Sequence, residues 1–205
     1  MFQYATTFAA SKMHNCDILM PDIECELYDT FPHLSCKKKP PEEIISSAKF
    51  VFRPNERMDF VYDQNILSCR ADCVLDGYYQ SELYFSKFRN EVLEEFRFSE
   101  LVKNESIDLL QVIHGGSSPL CAVHFRRGDY VGLGDVHTNL DHEYYSTCFS
   151  YMKEQVPGIK FVAFSDDREW CRENLPKDIV VPASVSAQHD LCAMSLCDYH
   201  IIANS

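Results

Sequence analysis

Apolar residues recur at helical intervals from Phe2 to Met13 and then bunch in a short run from Asp17 to Met20, which predicts a helix followed by a strand. A polar, proline-containing stretch without periodicity runs on through Pro41 and reads as variable connection. Within it, Lys37-Lys38-Lys39 beside Pro40-Pro41 is expected to be a solvated linker. Ala48 to Phe52 and Val74 to Tyr79 predict strands, and a helix is expected over Ser86 to Lys103, with Phe88, Val92 and Phe96 on one face. The segment His114-Gly115-Gly116-Ser117-Ser118-Pro119 marks a boundary between two halves. Beyond it the pattern alternates: strand Leu120 to Phe125, helix Glu143 to Lys153, strand Lys160 to Phe164, helix Arg168 to Asn174, strand Ile179 to Val181, helix His189 to Cys197 and strand Tyr199 to Ala203. Strands alternating with helices predict an α/β fold with a parallel sheet, and no internal repeat is visible.

Side chains alternate along a strand, so Ala122, His124 and Arg126 share one side while Val123, Phe125 and Arg127 take the other. His124 and Arg126 can therefore act on one ligand. Arginine offers a planar fork of donors to phosphate oxygens and histidine can bond a base or hydroxyl, a pairing suited to a nucleotide diphosphate. Gly128 would let the chain turn sharply straight afterwards. Ligands of open parallel sheets bind beyond the carboxyl ends of strands, where Arg126, Asp166 and Ser205 all fall. The tripeptide Arg127-Gly128-Asp129 has the composition of an adhesion motif, but it directly follows an apolar strand instead of sitting at a loop tip.

Charge narrows the ligand class. A net charge of −12 argues against nucleic acid as a partner, and arginines clustered in an acidic chain point to a small anion. Ten cysteines without a Cys-x-x-Cys pair, together with the sequon Asn104-Glu105-Ser106, suggest a lumenal or secreted setting. No apolar run is long enough to span a bilayer. His189, Cys192, Cys197 and His200 have the residue types of a zinc set, but a helix would spread them over about 16 Å, too far for one ion. Asp190 reads equally as a ligand-binding carboxylate or a helix cap, and Asp166 and Asp167 share that ambiguity at the helix start after Ser165.

The heptad His124-Phe125-Arg126-Arg127-Gly128-Asp129-Tyr130 resembles the signature of glycosyltransferase family 11, the alpha-1,2-fucosyltransferases. Four further blocks are similar to that family in the same order: Met1-Phe2-Gln3-Tyr4-Ala5, Gly77 to Phe85, His137 with Tyr144-Tyr145 and Phe164 to Asp167, and Asp198 to Ser205. The family pattern begins with a glycine-rich loop ahead of the first block and continues past the last, so the sequence is expected to be a fragment.

The resemblance implies a GT-B-like fold of two Rossmann-like domains with parallel sheets. Residues 1–115 would be an acceptor-side domain incomplete at its start, and 116–205 a GDP-fucose-binding domain incomplete at its end. It implies inverting transfer of L-fucose from GDP-fucose to a glycan hydroxyl, usually the 2-hydroxyl of galactose. The alternative is an inactive lumenal relative that binds only nucleotide-sugar or glycan. By the same resemblance Arg126 would hold the beta-phosphate, His124 would contact guanine or ribose, and Arg127 and Asp129 would brace the loop. Asp190 would accept from guanine, as a similarly spaced aspartate does in the related alpha-1,6-fucosyltransferases, with Asp166 and Ser205 completing the donor site. Asp135 and His137, in the loop after Tyr130, are the candidates for a general base. No cofactor or metal is expected, and a membrane anchor near the N-terminus would place the whole protein in the Golgi.

Overall fold

The opening helix α1 (Phe2–His14) turns Tyr4, Ala5 and Phe8 into a core shared with Ile18 and Val92. It stops at Asn15, whose left-handed backbone (φ 50°) is a conformation asparagine tolerates at a helix end. The computed structural model describes residues 1–54, 61–115, 118–128, 140–183 and 186–203. The chain falls into two compact units, Met1–Ser99 and Glu100–Ser205.

In the first unit, strand β1 (Leu19–Pro21) pairs in parallel with β2 (Lys37–Lys39). The three lysines are thus a strand, not a linker. Pairing with β1 supplies the backbone bonds, and each charge finds a partner: Lys37 bonds Asp17, Lys39 bonds Glu43, and Lys38 Nζ sits 3.8 Å from the centre of the Tyr28 ring. The stretch expected to be connection also contains helices α2 (Glu26–Thr30) and α3 (Pro41–Ser47), the latter started by a proline whose missing N–H costs a first turn nothing. A second parallel pair joins β3 (Phe50–Phe52) to β4 (Cys73–Leu75).

The helix expected over Ser86 to Lys103 is broken. A 3-10 turn at Ser86–Phe88 leads into α4 (Arg89–Glu95), and α5 (Glu100–His114) starts afresh. Phe31 explains the interruption, since Phe96 and Phe98 both pack on its ring, at 4.9 and 5.1 Å between centroids, a two-residue spacing no continuous helix offers. α5 belongs to the second compact unit.

That second unit is a three-stranded parallel sheet in the order β6-β5-β7, from β5 (Leu120–Phe125), β6 (Lys160–Ser165) and β7 (Tyr199–Ile201). The strand expected at Ile179 to Val181 reduces to a single parallel bridge from Val180 to Val162. Val123, Phe125 and Phe161 face a cluster containing Tyr145 of α6 (His142–Gln155) and Cys171 of α7 (Arg168–Asn174). Ala122, Val162 and Phe164 face Leu110 of α5 and Ala193 of α8 (Ala187–Ser195). Both faces are covered, which is why these strands read as nearly unbroken apolar runs. The fold class is α/β with small parallel sheets.

All ten cysteines are free thiols. Cys121, Cys171 and Cys192 are fully buried and serve as small apolar side chains. Among the described residues no helix is long and apolar enough to cross a membrane.

Candidate functional site

Strand β5 runs His124 and Arg126 out on one side at its carboxyl end, beside the end of β6, which delivers Ser165 and Asp166. Ser165 Oγ donates to the Phe125 carbonyl at 2.8 Å and accepts from the Asp167 N–H at 3.0 Å, tying the two strand ends together. Asp166 is the centre of the next loop. One carboxylate oxygen accepts from the Arg127 N–H, the other from the Gly128 N–H, both at 3.1 Å, and Arg126 Nη1 lies 3.2 Å from the second.

Gly128 is required for a reason other than a turn. A Cβ there would stand 2.6 Å from the Asp166 carboxylate oxygen, so only glycine lets the backbone approach closely enough to donate.

Arg127 goes the other way. Its guanidinium lies 3.7 Å from the centre of the Trp170 ring and its Nε donates to Asp167 at 3.4 Å. Asp167 in turn caps α7 by accepting from the Trp170 N–H at 3.1 Å. Arg127, Asp167 and Trp170 therefore brace the loop from below.

His124, Arg126, Asp166 and Asp190 line one hollow of about 370 Å³, with Phe164 and Met194 as apolar wall. Asp190 is not the cap of α8. Ser186 has that place, accepting from the His189 N–H, and Asp190 in the first turn instead bonds Arg168. Arg168 lines the hollow too and was not among the expected residues. One signal was available: a cation in the first turn of a helix runs against the helix dipole and implies a specific partner. Asp129, Asp135, His137 and Ser205 lie outside the described residues. The four residues of the zinc set are engaged separately: His189 with Ser186 and Glu105, His200 with the Met194 carbonyl, Cys197 with the Ala193 carbonyl, and Cys192 buried.

Charges in the hollow are tuned. Partial burial pulls the Asp166 carboxyl upward, but the N–H groups of Arg127 and Gly128 and the Arg126 charge outweigh it and hold it below its ordinary value. Burial lowers the His124 imidazole; Asp166 and Asp190 oppose that shift and Arg126 adds to it. His124 is therefore expected to be neutral at pH 7. Its NMR titration should have a midpoint below about 6.5, and a midpoint above that value would contradict the burial argument.

The sign of the linked stability follows. A depressed folded-state pKa means that the unfolded chain takes up the proton first as pH falls. The contribution of His124 is complete above about pH 6.5 and is lost as pH falls through the folded value; that of Asp166 is complete above about pH 3.9 and is lost in the same sense. Denaturant midpoints should accordingly drop between pH 7 and 5.5, and His124→Gln should flatten that drop.

The model of the family described as Glycosyl transferase family 11 matches residues 1–205. The chain is 28% identical to an alpha-1,2-colitosyltransferase of Escherichia coli, over 97% of this chain and 65% of that protein. It is 25% identical to a galactoside 2-alpha-L-fucosyltransferase of Bos taurus, over 98% of this chain and 57% of that protein. A galactoside alpha-(1,2)-fucosyltransferase 2 of Sus scrofa is 27% identical, over 85% and 52% respectively. The chain thus spans between about half and two thirds of the length of these relatives. No solved structure matches it.

Proposed function

The chain belongs to glycosyltransferase family 11, and from that membership we propose that it carries the donor site of an alpha-1,2-fucosyltransferase, which moves L-fucose from GDP-fucose to the 2-hydroxyl of a galactose residue. The observation that supports this most directly is the convergence of His124, Arg126 and Asp190 on one hollow at the carboxyl end of the parallel sheet. In this reading Arg126 meets the beta-phosphate, His124 the ribose or base, and Asp190 the guanine, while Ser205 completes the donor site.

The acceptor hydroxyl attacks the anomeric carbon, the bond to GDP breaks with inversion, and the hydroxyl proton passes to a base, for which Asp135 and His137 are the candidates. Charge grows on the leaving diphosphate. A guanidinium already in place there is worth most in the transition state, and we assign that charge to Arg126 without a metal or cofactor.

The first unit, Met1–Ser99, is assigned to the acceptor side and the second to the donor, as two Rossmann-like halves of a GT-B-like enzyme. For the whole protein the resemblance supports a Golgi setting with an N-terminal membrane anchor. A colitosyl donor is the second reading, favoured by the likeness to the Escherichia coli colitosyltransferase.

The test is calorimetric titration of the 205-residue chain with GDP, followed by transfer from GDP-fucose to a galactoside with the linkage read by NMR. Binding followed by alpha-1,2 transfer is the expected result. Where GDP binds but GDP-fucose gives no transfer, the matching colitosyl donor is tried; binding without transfer from either sugar donor assigns the chain to the inactive, ligand-binding alternative, and a folded chain that does not bind GDP overturns the donor site.

A further inference from the structure

Arg168 opens α7, and its Nη2 bonds the Oδ2 of Asp190 in the first turn of α8, 22 residues further on. The pair is largely withdrawn from water, at 29% and 15% side-chain exposure. The other oxygen of Asp190, Oδ1, is buried and has no hydrogen-bond partner among the described residues. A buried carboxylate oxygen with no donor is costly, so the arrangement is one that a ligand's N–H groups would relieve. Both residues border the hollow that His124 and Arg126 also line, whose lining includes the apolar Phe164, Leu191 and Met194.

We infer that Arg168 is a positioning residue for base selection: it fixes Asp190 by one oxygen and so presents the carboxylate to the N–H edge of guanine. This rests on the donor-site reading above. Guanine carries a ring N–H and an amino N–H side by side, matching the two oxygens of one carboxylate, whereas adenine offers a bare ring nitrogen there. Oδ1 is buried, so the carboxylate reaches the base by turning about its contact with Arg168. Hypoxanthine keeps the ring N–H and lacks the amino group. The ratio of GDP to IDP affinity therefore reads the second bond alone, which a general loss of folding would not move.

Wild type, Arg168→Ala and Arg168→Lys are titrated with GDP and IDP, with thermal melts of each. Wild type should favour GDP by about tenfold, the worth of one hydrogen bond to a charged acceptor. Arg168→Ala should lose about tenfold in GDP affinity and most of that preference, and Arg168→Lys should restore part of both. If both variants weaken GDP and IDP equally, with the ratio kept, Arg168 is only structural and the inference is overturned. If Arg168→Ala does not fold, the ratio in the lysine variant decides in the same way. A folded wild type that binds neither nucleotide overturns the donor-site reading and this assignment with it.

Discussion

Arg126→Ala is expected to weaken GDP binding about 30-fold, on the order of 2 kcal/mol, and to slow transfer by more than that, while leaving the melting temperature nearly unchanged. The affinity loss follows from removing a charge-assisted contact to a diphosphate in a partly desolvated hollow. The extra loss in rate follows from charge moving onto the leaving phosphate, where the guanidinium is worth more than in the ground state. Stability is spared because Asp166, the partner of Arg126, still accepts from two backbone N–H groups, and because a pair with both side chains about a third exposed contributes little through solvent. Arg127→Ala provides the contrast. Its guanidinium packs on Trp170 and points to Asp167, so its loss should lower the melting temperature first. Calorimetry and thermal melts on both variants decide. Equal melting losses with unchanged GDP affinity in Arg126→Ala would sink its assignment to the phosphate.

How far these assignments were legible depends on what the sequence encodes locally. The two-residue period of β5 puts His124 and Arg126 on one side, and both line the hollow, because a strand buried on both faces leaves its alternation little freedom. Helix α7 follows its apolar and capping pattern closely, with Asp167 as its cap. Contacts made across the sequence were hidden. Lys37 to Lys39 has no strand pattern of its own and becomes a strand only through β1. The spacing of Phe88, Val92 and Phe96 suits a helix, yet Phe31, more than sixty residues earlier, draws Phe96 and Phe98 together and ends it. Arg168 leaves one local trace, its place in the first turn of α7, while the partner that explains it lies on another helix.

The first unit shows what its two motif blocks do, and Glu95 is where that reading is most exposed to test. Tyr4, from the opening block, is 1% exposed and donates its hydroxyl to Glu95 Oε2 at 2.5 Å. The same oxygen accepts from the Ser35 N–H at 2.5 Å, and Oε1 accepts from the Ser35 hydroxyl at 2.7 Å. One carboxylate, itself 9% exposed, thus joins α1, α4 and the segment ahead of β2. The blocks also meet each other, as Gln3 Nε2 donates to the Gly77 carbonyl at 2.9 Å and Phe2 packs on Phe85. Burial and the Glu95 carboxylate together push the Tyr4 hydroxyl well above the usual tyrosine range, so it remains a donor at any pH the fold survives. Glu95→Ala leaves the buried tyrosine hydroxyl without its acceptor, at about 1–3 kcal/mol, and removes two bonds to the exposed Ser35, which water can replace, so it should destabilise the chain by about 2–3 kcal/mol. Glu95→Gln keeps the shape and part of the bonding and should cost less than half as much. Denaturant unfolding gives the totals, and hydrogen exchange along α1 locates them: protection of that helix should fall in step with the loss of stability. A change below about 1 kcal/mol in Glu95→Ala would mean that the aromatic packing of Tyr4 on Phe8 and Phe96 holds α1 alone.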